Sequence, residues 1–280
     1  MELAAVGSQL WTVSDVGLEA VDMRTGRAIV GPQTPYPYPV RIAASGGTLW
    51  IASVESGYAR GAVTRIDART RRASTAFRLP RMPVYDVCAG GGSAWAIVGP
   101  SRRRRLARLG RRTLFVRPGA DPGWCAADRS GGWVATSDAR LVHVSRTAAA
   151  TTVAHVRGLG VLATGGGRVW ATCAGGVARI DERSGTVAKV PIRGGRAFAV
   201  SAGPSAVWAL VLDRKQRSWL VRVDSRTARV TARRRMAGSP AAVLEAGHAL
   251  WVGGLDGRRG TVLLRVDRRS LVVRRAISLL

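Results

Sequence analysis

A glycine turn followed by a tryptophan recurs along this chain at nearly even intervals. It reads Gly46-Gly47-Thr48-Leu49-Trp50, then Gly91-Gly92-Ser93-Ala94-Trp95, Gly166-Gly167-Arg168-Val169-Trp170 and Gly247-His248-Ala249-Leu250-Trp251. Counted with Trp11, Trp133 and Trp208, the tryptophans of this pattern lie 37 to 45 residues apart. A period near ~40 residues, with several short strands per unit, predicts β-propeller blades. Seven units predict an all-β, seven-bladed β-propeller with four antiparallel strands in each blade.

Each unit has the same parts. In the second, Pro39–Ser45 is strand A, the glycine pair makes a tight turn, Thr48–Val54 is strand B, Gly61–Asp67 is strand C and Arg72–Pro80 is strand D. These stretches alternate or are apolar throughout, which suits strands covered on one or both faces. One such sheet cannot bury both its faces alone, but stacked sheets can, with the large Trp filling the space between neighbours. The C–D turn carries a second signature. It reads Asp22-Met23-Arg24-Thr25, and the same form returns at Asp67–Thr70, Asp181–Ser184, Asp224–Thr227 and Asp267–Ser270; Gly110–Thr113 and Ser145–Thr147 are variants. An Asp at the start of a turn accepts hydrogen bonds from backbone N–H groups two and three residues on. The expected blades are residues 1–33, 34–80, 81–118, 119–157, 158–194, 195–237 and 238–280 of a single domain. Each is contiguous in sequence, so no strand is exchanged to close the fold.

Net charge is the second constraint. The 280 residues include 44 Lys plus Arg against 17 Asp plus Glu, a formal charge of +27. Nearly all the basic residues are Arg, and Asn is absent. This imbalance predicts attraction to polyanions. Glu at position 2 and the lack of a basic segment after it argue against a signal peptide. The most apolar stretch, Ala197–Leu212, is interrupted by Ser201, Gly203, Pro204 and Ser205 and is too short to span a bilayer. Cys88, Cys125 and Cys173 make neither a disulfide framework nor a zinc pattern, and are read as small buried apolar side chains.

In an antiparallel blade the A–B and C–D turns share one face, and the B–C and D–A loops share the other. Extra length falls in the B–C loops of blades 2, 3, 6 and 7, marking the loop face as the binding face. That face carries Arg102, Arg103, Arg104 and Arg105 in blade 3, and Arg214, Lys215 and Arg217 in blade 6. Arg233–Arg235 are read as part of the loop before blade 7. On the opposite face Arg24, Arg69, Arg112, Arg183, Arg226 and Arg269 recur at one position of the C–D turn. Both sets are candidate polyanion contacts. All four tyrosines, Tyr36, Tyr38, Tyr58 and Tyr85, fall near blades 2 and 3 on the loop face, where they could stack on a ligand. The position nine residues before each Trp should line the mouth of the central channel. It holds Glu2, Arg41, Asp86, Trp124, Val161, Ala199 and Ala242, polar in blades 1 to 3 and apolar in blades 4 to 7.

At its Gly-x-x-x-Trp and Asp-x-Arg-Thr/Ser motifs the chain resembles the propellers of the virginiamycin B lyase, YVTN and NHL-type group, over essentially its whole length. The resemblance implies the propeller fold. It also implies, for the lyases, a channel-mouth site of histidine and glutamate with a magnesium ion on a strand A reading Pro-His-Gly-Ile. The matching stretches here, Pro39–Ile42, Pro122–Cys125 and Pro240–Val243, contain no His. His143, His155 and His248 fall in strand C, strand D and an A–B turn, where they suggest no general base. P-loop, dinucleotide and nucleophile-elbow motifs are absent. The sequence therefore predicts a monomeric, non-enzymatic binding module without metal or cofactor, for a protein or polyanionic partner such as nucleic acid or an acidic surface. A lyase-like or lactonase-like enzyme with a rebuilt mouth, or a sensor domain of a larger gene product, are the alternatives.

Overall fold

A computed structural model describes residues 1–14, 17–56, 60–79, 82–110, 113–203, 206–257 and 260–279. Every described regular element apart from single turns is a strand, and the strands form seven four-stranded antiparallel sheets, the β-propeller fold. Each sheet uses four strands consecutive in sequence, as the repeat predicts.

The chain divides into two compact units, Met1–Thr152 and Val153–Leu280. In the first, blade 1 is Glu2–Val6, Gln9–Ser14, Gly17–Asp22 and Ala28–Val30. Blade 2 is Tyr38–Ser45, Thr48–Val54, Gly61–Asp67 and Ala73–Leu79. Blade 3 is Val84–Gly90, Ser93–Val98, Arg105–Leu109 and Leu114–Val116. Blade 4 begins with Pro122–Ala127, Gly131–Thr136 and Arg140–Ser145, and its last strand, Ala150–His155, runs across the division. The second unit holds blade 5 (Leu162–Gly165, Arg168–Cys173, Gly176–Asp181, Val187–Pro191), blade 6 (Gly195–Ala202, Ala206–Asp213, Ser218–Asp224, Val230–Arg235) and blade 7 (Ser239–Ala246, Ala249–Asp256, Gly260–Val266, Val273–Ser278).

The recurring motif has the expected physical basis. Gly46 and Gly47 hold φ of 57° and 80°, the left-handed pair that a tight hairpin between right-twisted strands requires. The tryptophan that follows packs between blades. Trp11 shares a buried cluster with Ile42, Leu49 and Ile51 of blade 2, and Trp95 with Cys125, Val134 and Val144 of blade 4. In the second unit Trp170 packs with Val200 and Val207 of blade 6, and Trp208 with Val243, Leu250 and Val252 of blade 7. Gly132 is the complement of this wedge: a Cβ there would lie 3.1 Å from the Trp95 ring. Trp50 is the exception to full burial, being half-buried with Arg65 5.9 Å from its ring.

The C–D turns form as the sequence requires. In Asp22, Asp67, Asp181, Asp224 and Asp267, Oδ1 accepts hydrogen bonds from the backbone N–H and the hydroxyl of the Thr or Ser three residues on. These bonds, led by the backbone one, hold all five exposed carboxyls below their ordinary range. In blade 4 the Ser145 hydroxyl substitutes, accepting from the N–H of Ala149.

Two expectations are corrected. Cys88 and Cys125 are joined in a disulfide, while Cys173 is free and buried. Both bonded cysteines lie in strand A, of blades 3 and 4, and their separation of 37 residues is one repeat. One repeat's spacing puts them at neighbouring places on adjacent blades, a signal that counting cysteines alone does not reveal. Arg233–Arg235 belong to strand D of blade 6 and not to the loop beyond it, because Trp219, Leu220 and Val221 pair with them across the ladder.

Candidate functional site

One register position is repeated through the blades. Glu2 pairs with Val13, Arg41 with Ala52, Asp86 with Ile97, Trp124 with Ala135, Ala199 with Leu210 and Ala242 with Gly253. In blade 5 the Val161 carbonyl accepts from the N–H of Thr172. In each case the partner is the residue two past the blade's tryptophan, so the count of nine residues locates the same place in every blade. In blades 2, 3, 4, 6 and 7 the residue just before this position is skipped in the ladder. Such a bulge bends the strand and re-aims the side chain that follows.

Within the first unit these side chains meet. Arg41 lies 3.2 Å from the Glu2 carboxylate through Nη1 and 3.5 Å from Asp86 through Nε. Its guanidinium carbon stands 5.0 Å from the centre of the Trp124 ring, within cation–π range. Four successive blades thus converge on one guanidinium. Asp86 is buried, and both its oxygens are engaged: Oδ1 accepts from the N–H of Val87 at 2.9 Å and Oδ2 from the N–H of Cys125 at 2.8 Å. Burial pushes the Asp86 carboxyl up to about 7, against the pull of Arg41 and of the Cys125 N–H. Burial also raises the Glu2 carboxyl, again opposed by Arg41.

Beside this hub opens a cleft of about 370 Å³, walled by Tyr38, Pro39, Val40, Arg41, Val84 and Tyr85 among others. Tyr38 is exposed and opens strand A of blade 2. Tyr36 is outside the walls of this cleft, and Tyr58 lies outside the described residues. The other side of Tyr85 is taken by Arg104, whose guanidinium carbon sits 3.9 Å from the ring centre, while the Tyr85 hydroxyl meets Ser101 Oγ at 3.3 Å. Arg102, Arg103, Arg104 and Arg117 line a second recess of about 410 Å³ together with Asp121. Arg105 instead begins strand C and is exposed. Sequence reading missed Arg117, which stands with Asp121 in the D–A connection of a blade whose C–D turn departs from the motif.

On the C–D turns Arg24, Arg69, Arg183, Arg226 and Arg269 are exposed, and Arg112 lies outside the described residues. The backbone N–H groups of Arg24, Arg183, Arg226 and Arg269 donate to the turn aspartate. No ion pair joins these five side chains to it among the described residues; the paired arginines there are Arg41, Arg60, Arg140, Arg217, Arg268 and Arg274. In blade 6, Arg217 bonds Asp213, and Arg233 stacks 3.9 Å from the Trp219 ring. His143 meets Ser130 Oγ through Nε2 at 3.0 Å, and burial lowers its pKa. Among the described residues no group of three His, Cys, Asp or Glu side chains could hold a metal ion, and no helix is long and apolar enough to cross a membrane.

The sequence matches no family model and no curated protein. Solved structures of low identity share the fold. The Cps50 (Swd1) β-propeller domain of Myceliophteria thermophila is 12% identical, with a TM-score of 0.64 over 89% of this chain and 90% of that one. The dihydro-heme d1 dehydrogenase NirN, in complex with DHE, is 14% identical, with a TM-score of 0.65 over 99% of this chain and 66% of that one. A chain of the nidogen/laminin complex is 10% identical, with a TM-score of 0.59 over 81% of this chain and 93% of that one. A propeller domain, a dehydrogenase and a protein–protein complex on one architecture make the fold a scaffold that does not itself fix the activity.

Proposed function

We propose that residues 1–280 act as one non-enzymatic binding module of the virginiamycin B lyase, YVTN and NHL-type propeller kind. Basic residues on both faces attract an acidic or polyanionic partner, and the B–C and D–A loops of blades 2 to 4 make the closer contact. The observation that carries this reading is the state of the turn arginines. The aspartate beside each is hydrogen-bonded within its own turn and makes no contact ion pair with the turn arginine among the described residues, so the five guanidinium groups stay exposed, while the carboxylates of Asp22, Asp67 and Asp224 still act on Arg24, Arg69 and Arg226 at longer range. Exposed pairs would in any case contribute only ~0–1 kcal/mol and would leave most of a charge of +27 in place.

Burial brings the Asp86 carboxyl to about 7, a value suited to proton transfer at neutral pH. Its oxygens already accept from two backbone N–H groups and face Arg41, so it holds strands together rather than serving as a free base. This favours binding over a rebuilt lyase-like or lactonase-like site. The test is a titration with heparin and with duplex DNA from low to physiological salt. We expect binding that weakens steeply with salt and shows little sequence preference. Absence of binding to either at low salt overturns the reading, and lyase or lactonase turnover abolished by Asp86→Asn replaces it with the enzyme.

A further inference from the structure

The recess between blades 3 and 4 has the makings of a discrete anion site. Its walls come from two separate stretches. Arg102, Arg103 and Arg104 stand on the B–C connection of blade 3, and Arg117, Pro118, Gly119, Ala120 and Asp121 on the connection from blade 3 to blade 4. Four arginines and one aspartate are among its lining residues. Asp121 brings one negative charge against four positive ones; its Oδ1 accepts from the backbone N–H of Arg104 at 3.3 Å, and it joins no ion pair among the described residues. Like charges gathered in a recess repel unless an anion joins them.

Arg104 is held in place. Its ring partner Tyr85 is tied in turn to Ser101, and its backbone is tied to Asp121. Its Nε is shielded from solvent, so bonds from Arg104 to an anion in the recess fall to its two terminal nitrogens. The turn that carries these residues is also specialised: Arg102 holds φ of 65°, a left-handed conformation uncommon outside glycine and concentrated at ligand-binding turns. Planar guanidinium forks fixed by stacking suit a tetrahedral dianion, which offers more acceptor oxygens than a carboxylate.

We infer that this recess binds the phosphate group of a small soluble phosphomonoester, with Arg104 as the fixed fork and Arg102, Arg103 and Arg117 closing around the anion. The inference rests on the loop face being the binding face, and narrows its ligand from polyanions in general to a phosphate group in one pocket. The recess, walled by Pro118 and Ala120, favours a soluble phosphate over the flat array of headgroups on a membrane.

The experiment is calorimetric titration of the whole chain with inorganic phosphate, and with a nucleoside monophosphate, at ionic strength held constant with chloride. We expect one saturable site for each. Arg104→Gln and Arg117→Gln should each weaken it roughly tenfold or more. Arg104→Lys, which keeps the charge and loses the planar fork, should weaken it as well. Arg117 is exposed, so its variant tests the site even where Arg104→Gln fails to fold. Heats that never saturate, titrations unchanged in both Gln variants, or binding confined to vesicles of phosphatidic acid in phosphatidylcholine overturn the inference. A double variant Arg24→Gln/Arg226→Gln separates the two readings. It should weaken heparin binding and leave the phosphate site intact; unchanged heparin binding in this variant counts against the basic faces, and loss of phosphate binding in it counts against the pocket.

Discussion

At the scale of single residues, Asp86 sets a pH dependence that can be worked out in advance. Its carboxyl moves from an ordinary 3.8 to about 7 in the folded chain. Between those values the folded state keeps a proton that the unfolded state has lost, so stability falls as pH rises from about 4 to about 7 and levels off above. Glu2, also raised, acts in the same direction. The turn aspartates act the other way, since their lowered carboxyls contribute stability that is lost as pH falls below the ordinary carboxylate range. Urea midpoints measured from pH 4 to 8 should therefore decline toward neutrality in the parent, and Asp86→Asn should flatten that decline. An unchanged slope in the variant would mean that Asp86 ionises normally. A second prediction concerns the fifth residue of the C–D turn, which donates its N–H to the turn aspartate's carbonyl in five blades. It is glycine at Gly26 and Gly185, but Arg71, Ala228 and Leu271 adopt the same left-handed backbone, with φ between 55° and 57°. That conformation costs an L-residue ~1–2 kcal/mol, partly offset by the extra freedom glycine has when unfolded. Ala228→Gly should raise stability by roughly 0.5–1 kcal/mol in chemical denaturation, and a loss would show that the turn is not limited by this strain.

At the scale of the element, two cross-blade devices invite measurement. Trp95 is fully buried against blade 4, and Trp95→Ala should cost roughly 3–5 kcal/mol. The Cys88–Cys125 bond closes a segment of 37 residues, and on chain-entropy grounds its loss should cost roughly 3–4 kcal/mol. Comparing denaturant midpoints of the parent with and without reductant, and of Cys88→Ser, checks this; identical midpoints would show the thiols to be unpaired in solution. These elements also show what the sequence reveals and where it stops. Blade number, strand order and the register of Glu2, Arg41, Asp86 and Trp124 follow from repetition, because a repeat multiplies a weak local signal. That Arg41 bonds both carboxylates depends on which way bulged strands turn their side chains, and spacing carries no such information. The disulfide and the part played by Arg117 went unread for a related reason: each joins two blades, and each blade shows only half of the pattern. Three adjacent charges such as Arg233–Arg235 resemble a solvated loop, yet an outer strand carries them while its backbone still pairs.

At the scale of the whole molecule the sign and size of the charge dominate. With +27 and few arginines in ion pairs among the described residues, association with polyanions should follow counterion release. The logarithm of the binding constant for duplex DNA should fall linearly with the logarithm of salt, by about 0.9 per phosphate neutralised. Replacing Arg24, Arg183 and Arg226 together with Gln should make that slope shallower, and an identical slope would remove the turn face from the contact.

The bulge that precedes this register position in five blades has a consequence for how such a chain can change. A residue set just past a bulge is displaced from the regular ladder, so its identity is only loosely tied to strand pairing. Glu, Arg, Asp, Trp, Val and Ala already occupy this one place in different blades. Where the bulge is present the position is open to exchange: randomising residues 41 and 124 in the first unit, or 199 and 242 in the second, should change the local surface of that unit while the tryptophan wedges and aspartate turns keep the blades intact.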